Sequence, residues 1–276
     1  MRKLFKLGAV ALAVLALMVA AVGCGGEKAA DKQGEGGEEA KQKLVAAFEP
    51  TFAPFESTDE NGEFVGFDID LIKAIAEEQG FEVELKSLSF DGLIPALQTG
   101  QIDVIVSGMS IKPKREEQVN FSIPYYEAPL VIAVREDNNE ITKPEDLAGK
   151  RIAVQIGTTG ADKANEFKEK YGAEVKTYNT VDLVFNELIN GGVDAVINDE
   201  PVTEEFIEKK GQGKVKIVGD TLVGDYYGIA VAKENTELLE SINEGLKKLK
   251  ENGKFNQLYE KWFHTSAPDY LPGERS

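Results

Sequence analysis

The chain has 276 residues, with 31 basic against 48 acidic side chains and a formal net charge of −17, a balance that disfavours nucleic acid, whose phosphates attract Lys and Arg. Its single cysteine and single histidine, Cys24 and His264, leave little material for Ser/His/Asp or Cys/His nucleophile systems or for histidine-based metal sites. No catalytic group, metal or cofactor is expected.

Residues 1–23 carry Arg2, Lys3 and Lys6 ahead of the uncharged apolar run 7–22, the layout of an export signal. The run is short of the roughly 20 apolar residues that cross a bilayer. Ala21-Val22-Gly23-Cys24 resembles the lipobox of bacterial lipoproteins, which implies cleavage before Cys24 and its acylation, palmitate included. A lone cysteine has no internal disulfide partner. Loss of three basic residues and no acidic one then moves the charge from −17 to −20. The stretch 24–42, rich in Gly, Glu, Lys and Ala, reads as a flexible tether.

From Lys43 onward short β-rich runs (44–48, 81–85, 102–106, 151–155, 174–178, 193–197) alternate with helical patterns such as Ile69-Ile72-Ile75-Ala76. This predicts βαβ units and mostly parallel sheets. Residues 97–106 (LQTGQIDVIV) are echoed by 188–197 (LINGGVDAVI), each a helix end, a glycine stop and a buried strand. The strands deliver Ser107-Gly108 in one half and Asn198-Asp199 in the other. Open α/β sheets bind ligands at that edge, so two lobes facing across a cleft are expected. The C-terminal stretch 236–263 predicts two amphipathic helices broken at Asn252-Gly253, with Trp262 and Phe263 packed on a lobe.

Eight segments carry a family resemblance: Glu49-Pro50-Thr51-Phe52-Ala53-Pro54-Phe55; Gly66-Phe67-Asp68-Ile69-Asp70-Leu71; Phe90-Asp91-Gly92-Leu93-Ile94-Pro95-Ala96-Leu97; Ser107-Gly108-Met109-Ser110-Ile111 followed by Arg115; Phe121-Ser122-Ile123-Pro124-Tyr125-Tyr126; Gln155-Ile156-Gly157-Thr158-Thr159-Gly160; Asp194-Ala195-Val196-Ile197-Asn198-Asp199; and Tyr227-Gly228-Ile229-Ala230. Over residues 43–264 the chain resembles the type 3 extracellular solute-binding proteins of amino-acid ABC transporters. The resemblance implies an α/β, two-lobed periplasmic-binding-protein-like clamshell, each lobe a mostly parallel sheet flanked by helices. Lobe 1 is expected at 43–124 plus 228–265, lobe 2 at 130–222, and a two-strand hinge at 125–129 and 223–227.

A zwitterion entering a dry cleft needs each charged atom paired. Arg115 offers a two-pronged donor for an α-carboxylate, and solvated surface charge is its bland alternative. Gly157-Thr158-Thr159-Gly160 opens a helix, so its amides face an anion. The resemblance assigns Thr159 and Ser110 as further carboxylate donors, with plain N-capping compatible with that. Asp199 is assigned to the α-ammonium, aided by the Gly108 carbonyl, against the alternative of capping the helix near Pro201. Phe52 and Phe90 are placed on either side of the ligand side chain, with core packing the alternative, most of all for Phe52.

After Arg115 and Asp199 neutralise the zwitterion, Glu49 leaves one negative charge that a cationic side chain would cancel. Gln155 stands where some glutamine binders carry lysine. The expected ligand is thus arginine or lysine, with glutamine or histidine as alternatives. The implied protein is a monomeric, extracytoplasmic, lipid-anchored component that delivers a free amino acid to an ABC permease and touches the membrane through lipid alone. A dehydratase-type enzyme using Glu49 and Asp199 as acid and base is the remote alternative. A receptor sensor domain would need a further membrane segment.

Overall fold

The computed structural model describes residues 42–269; the expected signal at 1–23, Cys24 and nearly all of the tether lie outside them. The chain enters through β1 (Lys43–Phe48), a small antiparallel sheet of β2 (Thr51–Phe52), β3 (Glu56–Thr58) and β4 (Phe64–Val65), then α1 (Phe67–Gln79), β5 (Glu82–Ser87) and α2 (Phe90–Gln98). It continues with β6 (Val104–Ile105), the single turn α3 (Pro113–Glu116) and β7 (Val119–Phe121) before β8 (Tyr126–Arg135). Then follow β9 (Arg151–Gln155), α4 (Thr159–Tyr171), β10 (Glu174–Tyr178), α5 (Val181–Ile189), β11 (Ala195–Asp199), α6 (Glu200–Phe206) and β12 (Val215–Tyr227). The strand β13 (Ala230–Ala232) and the helices α7 (Thr236–Glu251) and α8 (Lys254–Phe263) end the described chain.

Two five-stranded sheets result, ordered β5-β1-β6-β13-β7 and β10-β9-β11-β8-β12. In each, three strands run parallel, as short βαβ units require, and the fourth is antiparallel. That odd strand is the one whose chain has just arrived from the other side: β8 follows β7, and β13 follows β12. The two sheets are therefore copies of one topology joined by two crossings. The crossings are paired with each other, Tyr126 opposite Tyr227 and Ala128 opposite Asp225.

The sequence echo has a structural cause. Asp103 Oδ2 accepts the Val45 amide at 2.8 Å and Asp194 Oδ2 accepts the Arg151 amide at 2.9 Å, while their own amides donate to the Val45 and Arg151 carbonyls. Each Asp thus clamps the start of the neighbouring central strand. The preceding Gly100 and Gly191 take the left-handed region, φ 68° and 76°, which lets the chain turn from helix to strand.

Burial follows the expected periodicities. Along α1, Leu71, Ile72 and Ile75 are buried, the i, i+1, i+4 face of an amphipathic helix. The α7 stripe Leu238, Ile242, Leu246 and Leu249 is buried in the same way, each such side chain contributing about 1.5–3 kcal/mol of burial. The expected break between the last two helices falls at Asn252-Gly253. Trp262 Nε1 donates to Asp70 of α1 at 2.8 Å. Phe263 packs 5.3 Å from Phe55 and 4.8 Å from Tyr126, ring centre to ring centre. Phe55 also meets Tyr126 edge-on at 4.8 Å and Tyr227 at 5.1 Å, so one aromatic cluster braces both crossings against the first sheet.

Candidate ligand-binding site

The carboxyl ends of the two sets of parallel strands face each other, and the residues expected to contact the ligand lie on or beside them. Glu49 follows β1, Gly108 and Ser110 follow β6, Gln155 ends β9 and Asp199 ends β11. Phe90 opens α2, Arg115 sits in α3 and Thr159 opens α4. All are buried except Phe90, which is half-buried.

Arg115 is 8 % exposed, which removes its solvated reading. Its Nη1 donates to the Ser110 carbonyl at 2.7 Å and its Nη2 to the Gly157 carbonyl, on the opposite side, at 3.0 Å. The guanidinium lies 5.4 Å from the centre of the Phe90 ring, a cation–π contact that a planar cation favours. Burial draws its pKa below the usual value, while the negative charges of Asp162 and Asp199 oppose that shift.

Asp199 occupies the N-cap position of α6 but makes no side-chain capping bond, so its carboxylate is not spent on the helix. Burial raises its pKa to about 7, against the influence of the Tyr227 hydroxyl and, more weakly, Arg115. The Tyr227 hydroxyl faces Asp199 yet stays short of full hydrogen-bond geometry. Capping of α4 falls to Thr158, whose Oγ1 accepts the Ala161 amide at 3.2 Å. That leaves the Thr159 hydroxyl, on the first residue of the helix, outside the cap.

Glu49 is 3 % exposed. Thr51 Oγ1 reaches its two oxygens at 3.0 and 2.8 Å, and Gln155 Nε2 donates to Oε2 at 3.1 Å. Burial still raises its pKa, because the bonds come from neutral groups and no cation is among its perturbers. Gln155 Nε2 also donates to the Asn179 carbonyl at 3.0 Å, so this amide holds Glu49 from across the cleft.

Phe52 packs 6.1 Å from Phe55 and is 7 % exposed, and its ring edge borders Gly108: a Cβ there would stand 2.8 Å from Phe52 and 3.2 Å from Tyr227. Gly108 has φ 47°, so both its backbone and its surroundings call for glycine. The Phe52 ring is thus shared between the core and the turn at the cleft. Further bonds join the two sides, Val181 N to Thr51 Oγ1 at 3.2 Å and Lys112 Nζ to Asp162 Oδ2 at 2.6 Å.

Sequence reasoning missed Thr51, Asn179, Tyr227, Glu56 and Asp68, which act on the site through other residues. One of them left a signal. Asp68 stands at the i−3, i−4 and i−7 positions from Leu71, Ile72 and Ile75, on the buried stripe of α1, where an aspartate is costly without a purpose.

Two like-built α/β lobes with a buried cation, two buried carboxyls and glycine turns at their facing strand ends define a two-lobed binding fold for a small, charged solute. Residues 44–265 match the family model for bacterial extracellular solute-binding proteins, family 3, and the chain belongs to that family. It is 36% identical over 232 residues to the ABC transporter arginine-binding protein 1 of Escherichia coli K12, covering 82% of this chain and 93% of that one. An ancestral arginine-binding protein solved with arginine bound is 46% identical with a TM-score of 0.78, covering 81% of this chain and 99% of its own. An ancestral amino acid-binding protein described as a precursor of cyclohexadienyl dehydratase is 40% identical with a TM-score of 0.74, covering 80% and 95%. Among the described residues no helix is long and apolar enough to cross a membrane.

Proposed function

We propose that the protein captures a basic L-amino acid, arginine foremost, and presents it in a closed form to an ABC permease. The observation that carries this reading is the charge at the facing strand ends: one buried cation, Arg115, against two buried carboxyls, Glu49 and Asp199. A zwitterion uses Arg115 and Asp199 and leaves Glu49 unmatched; a guanidinium or ammonium side chain matches it. The α-carboxylate lies at Arg115, Ser110 and Thr159, the α-ammonium at Asp199 and the Gly108 carbonyl, and the side chain between Phe52 and Phe90 toward Glu49 and Gln155. Relatives that bear arginine-binding names support the same choice.

In this reading lobe 1 comprises 43–124 plus 228–265 and lobe 2 comprises 130–222. They flex at 125–129 and 223–227, where β8 and β12 run side by side. A ligand touching both lobes stabilises the closed form in preference to the open one. Acylation at Cys24 anchors a monomer to the cell membrane outside the cytoplasm. No chemistry is done on the ligand, since Glu49 and Asp199 serve as charge partners.

Calorimetric titration with the twenty amino acids tests the reading, with arginine, lysine or histidine expected as the tightest ligand. Heat from glutamate or aliphatic residues alone would refute it. Product formation from prephenate or arogenate would replace it with the dehydratase reading.

A further inference from the structure

Behind the cleft, two acids sit in a place where neither has a counter-ion. Glu56 of β3 and Asp68 of α1 are fully buried, on elements locked together by the Asp68 amide, which donates to the Phe55 carbonyl at 2.9 Å. The lock is tight: a Cβ on Gly66, the residue before α1, would stand 2.0 Å from the Phe55 carbonyl oxygen. The two carboxyls grip consecutive residues of the turn after β6. Ser107 Oγ donates to Glu56 Oε1 at 2.6 Å, and the Gly108 amide donates to Asp68 Oδ2 at 2.7 Å.

The donors decide where a proton can be. Ser107 Oγ has one hydrogen, given to Glu56 Oε1, and it accepts the Glu49 amide at 3.0 Å. Asp68 Oδ2 takes a second bond from the Tyr125 hydroxyl at 2.8 Å. What remains is one oxygen on each acid, Glu56 Oε2 and Asp68 Oδ1, both buried and without a partner. Two lone oxygens of neighbouring acids in a dry interior would repel as a dianion and attract once a proton stands between them.

The groups bearing on Glu56 are the acids Asp68, Glu49 and Asp199, and it bears in turn on the phenols Tyr125 and Tyr227. No cation is among them. Among the described residues no set of three or more His, Cys, Asp or Glu side chains is arranged to hold a metal ion.

We propose that Glu56 and Asp68 hold one proton between Oε2 and Oδ1, directly or through a buried water, and that this pair positions the Ser107–Gly108 turn whose carbonyl meets the ligand's ammonium. The positioning half rests on the amino-acid-binding reading above; the shared proton does not. Burial pushes both carboxyls upward, Asp68 to about 7 and Glu56 well above its usual value, and repulsion from Asp68 adds to the rise of Glu56. Removing the proton puts a second charge in the core and loosens the turn, so affinity falls on the alkaline side.

The test compares the wild type with Glu56→Gln and Glu56→Ala. Infrared titration of the ligand-free proteins, each also carrying Asp199→Asn so that Asp199 adds no signal, should show a carboxylic-acid band at neutral pH that weakens on Glu56→Gln. L-Arginine titrations across alkaline pH should find Glu56→Gln within about threefold of wild type at pH 7 and with a smaller alkaline fall, since an amide both accepts from Ser107 and donates to Asp68. The remainder of the fall is loss of the ligand's own ammonium proton. Glu56→Ala should bind at least about tenfold more weakly; if it fails to fold, the glutamine variant alone decides. An unchanged infrared band in Glu56→Gln overturns the shared proton. An alkaline profile identical to wild type, or equal weakening by Gln and Ala, overturns the positioning role. A wild-type protein that binds no amino acid would refute the functional reading and the positioning role with it, while the infrared result still decides the proton.

Discussion

Gln155 Nε2 donates to Glu49 Oε2 at 3.1 Å, tying the end of β9 to the end of β1 across the cleft. The bond leaves Glu49 without a cationic partner, and this sets the specificity expected of the site. Glu49→Gln removes the unmatched charge. Arginine affinity should fall by roughly tenfold to a thousandfold, about 1.4–4 kcal/mol, while glutamine affinity should hold or improve. Paired calorimetric titrations with both ligands check the exchange.

Arg115 and Asp199 are buried groups that a zwitterion would pair. Removing one member of such a pair typically costs about 3–5 kcal/mol, so Arg115→Ala or Asp199→Ala should weaken binding by roughly two to three and a half decades. A change of less than about tenfold in either variant would put the pocket elsewhere.

Asp199, raised by burial to about 7, is substantially protonated near neutral pH before ligand binds. An incoming ammonium favours the carboxylate and expels the proton. Arginine binding at pH 7 should therefore release a fraction of a proton, seen as a heat that varies with the ionisation enthalpy of the buffer, and affinity should drop as pH falls below about 7.

The same shift acts on stability with a fixed sign. The folded chain binds a proton on Asp199 that the unfolded chain has lost above about pH 4, so this contribution is fully present below that pH and disappears as pH rises through about 7. Asp199→Asn should raise the melting temperature of the ligand-free protein at pH 8, with a stability gain bounded at about 4 kcal/mol, while weakening binding. A melting temperature lowered at pH 8 would contradict the assignment.

Lys112 and Asp162 also span the cleft, at 2.6 Å, but the aspartate side chain is 69% exposed. Exposed pairs contribute about 0–1 kcal/mol. Lys112→Ala should change arginine affinity by less than about fivefold at physiological salt.

The legibility of the chain followed the source of each signal. The strands β9 and β10 fall where their apolar runs stand, at Arg151–Gln155 and Glu174–Tyr178, because they pair with neighbours along their whole length. The run 102–106 gives a ladder only at Val104–Ile105, since Asp103 spends its side chain on Val45. The full length of β12, from Val215, left no pattern to read. Register shifts between Val218 and Leu222 and between Leu222 and Asp225 break its alternation, and much of it is exposed. Charged residues of the site could be read because their chemistry is carried on the side chain itself. Glu56 and Thr51 could not, since each contacts another residue and its purpose exists only in three dimensions; Asp68 shows in the sequence only as an acid misplaced on the apolar stripe of α1.

The most direct test of the central claim alters the ligand. The claim is that one buried guanidinium and one buried carboxyl grip the two ends of a single zwitterion. In competition titrations against L-arginine, agmatine lacks the carboxylate that Arg115 meets and Nα-acetylarginine lacks the ammonium that Asp199 meets. Both should compete at least about a hundredfold more weakly, about 2.7 kcal/mol. Competition by either within about tenfold of arginine would contradict the account.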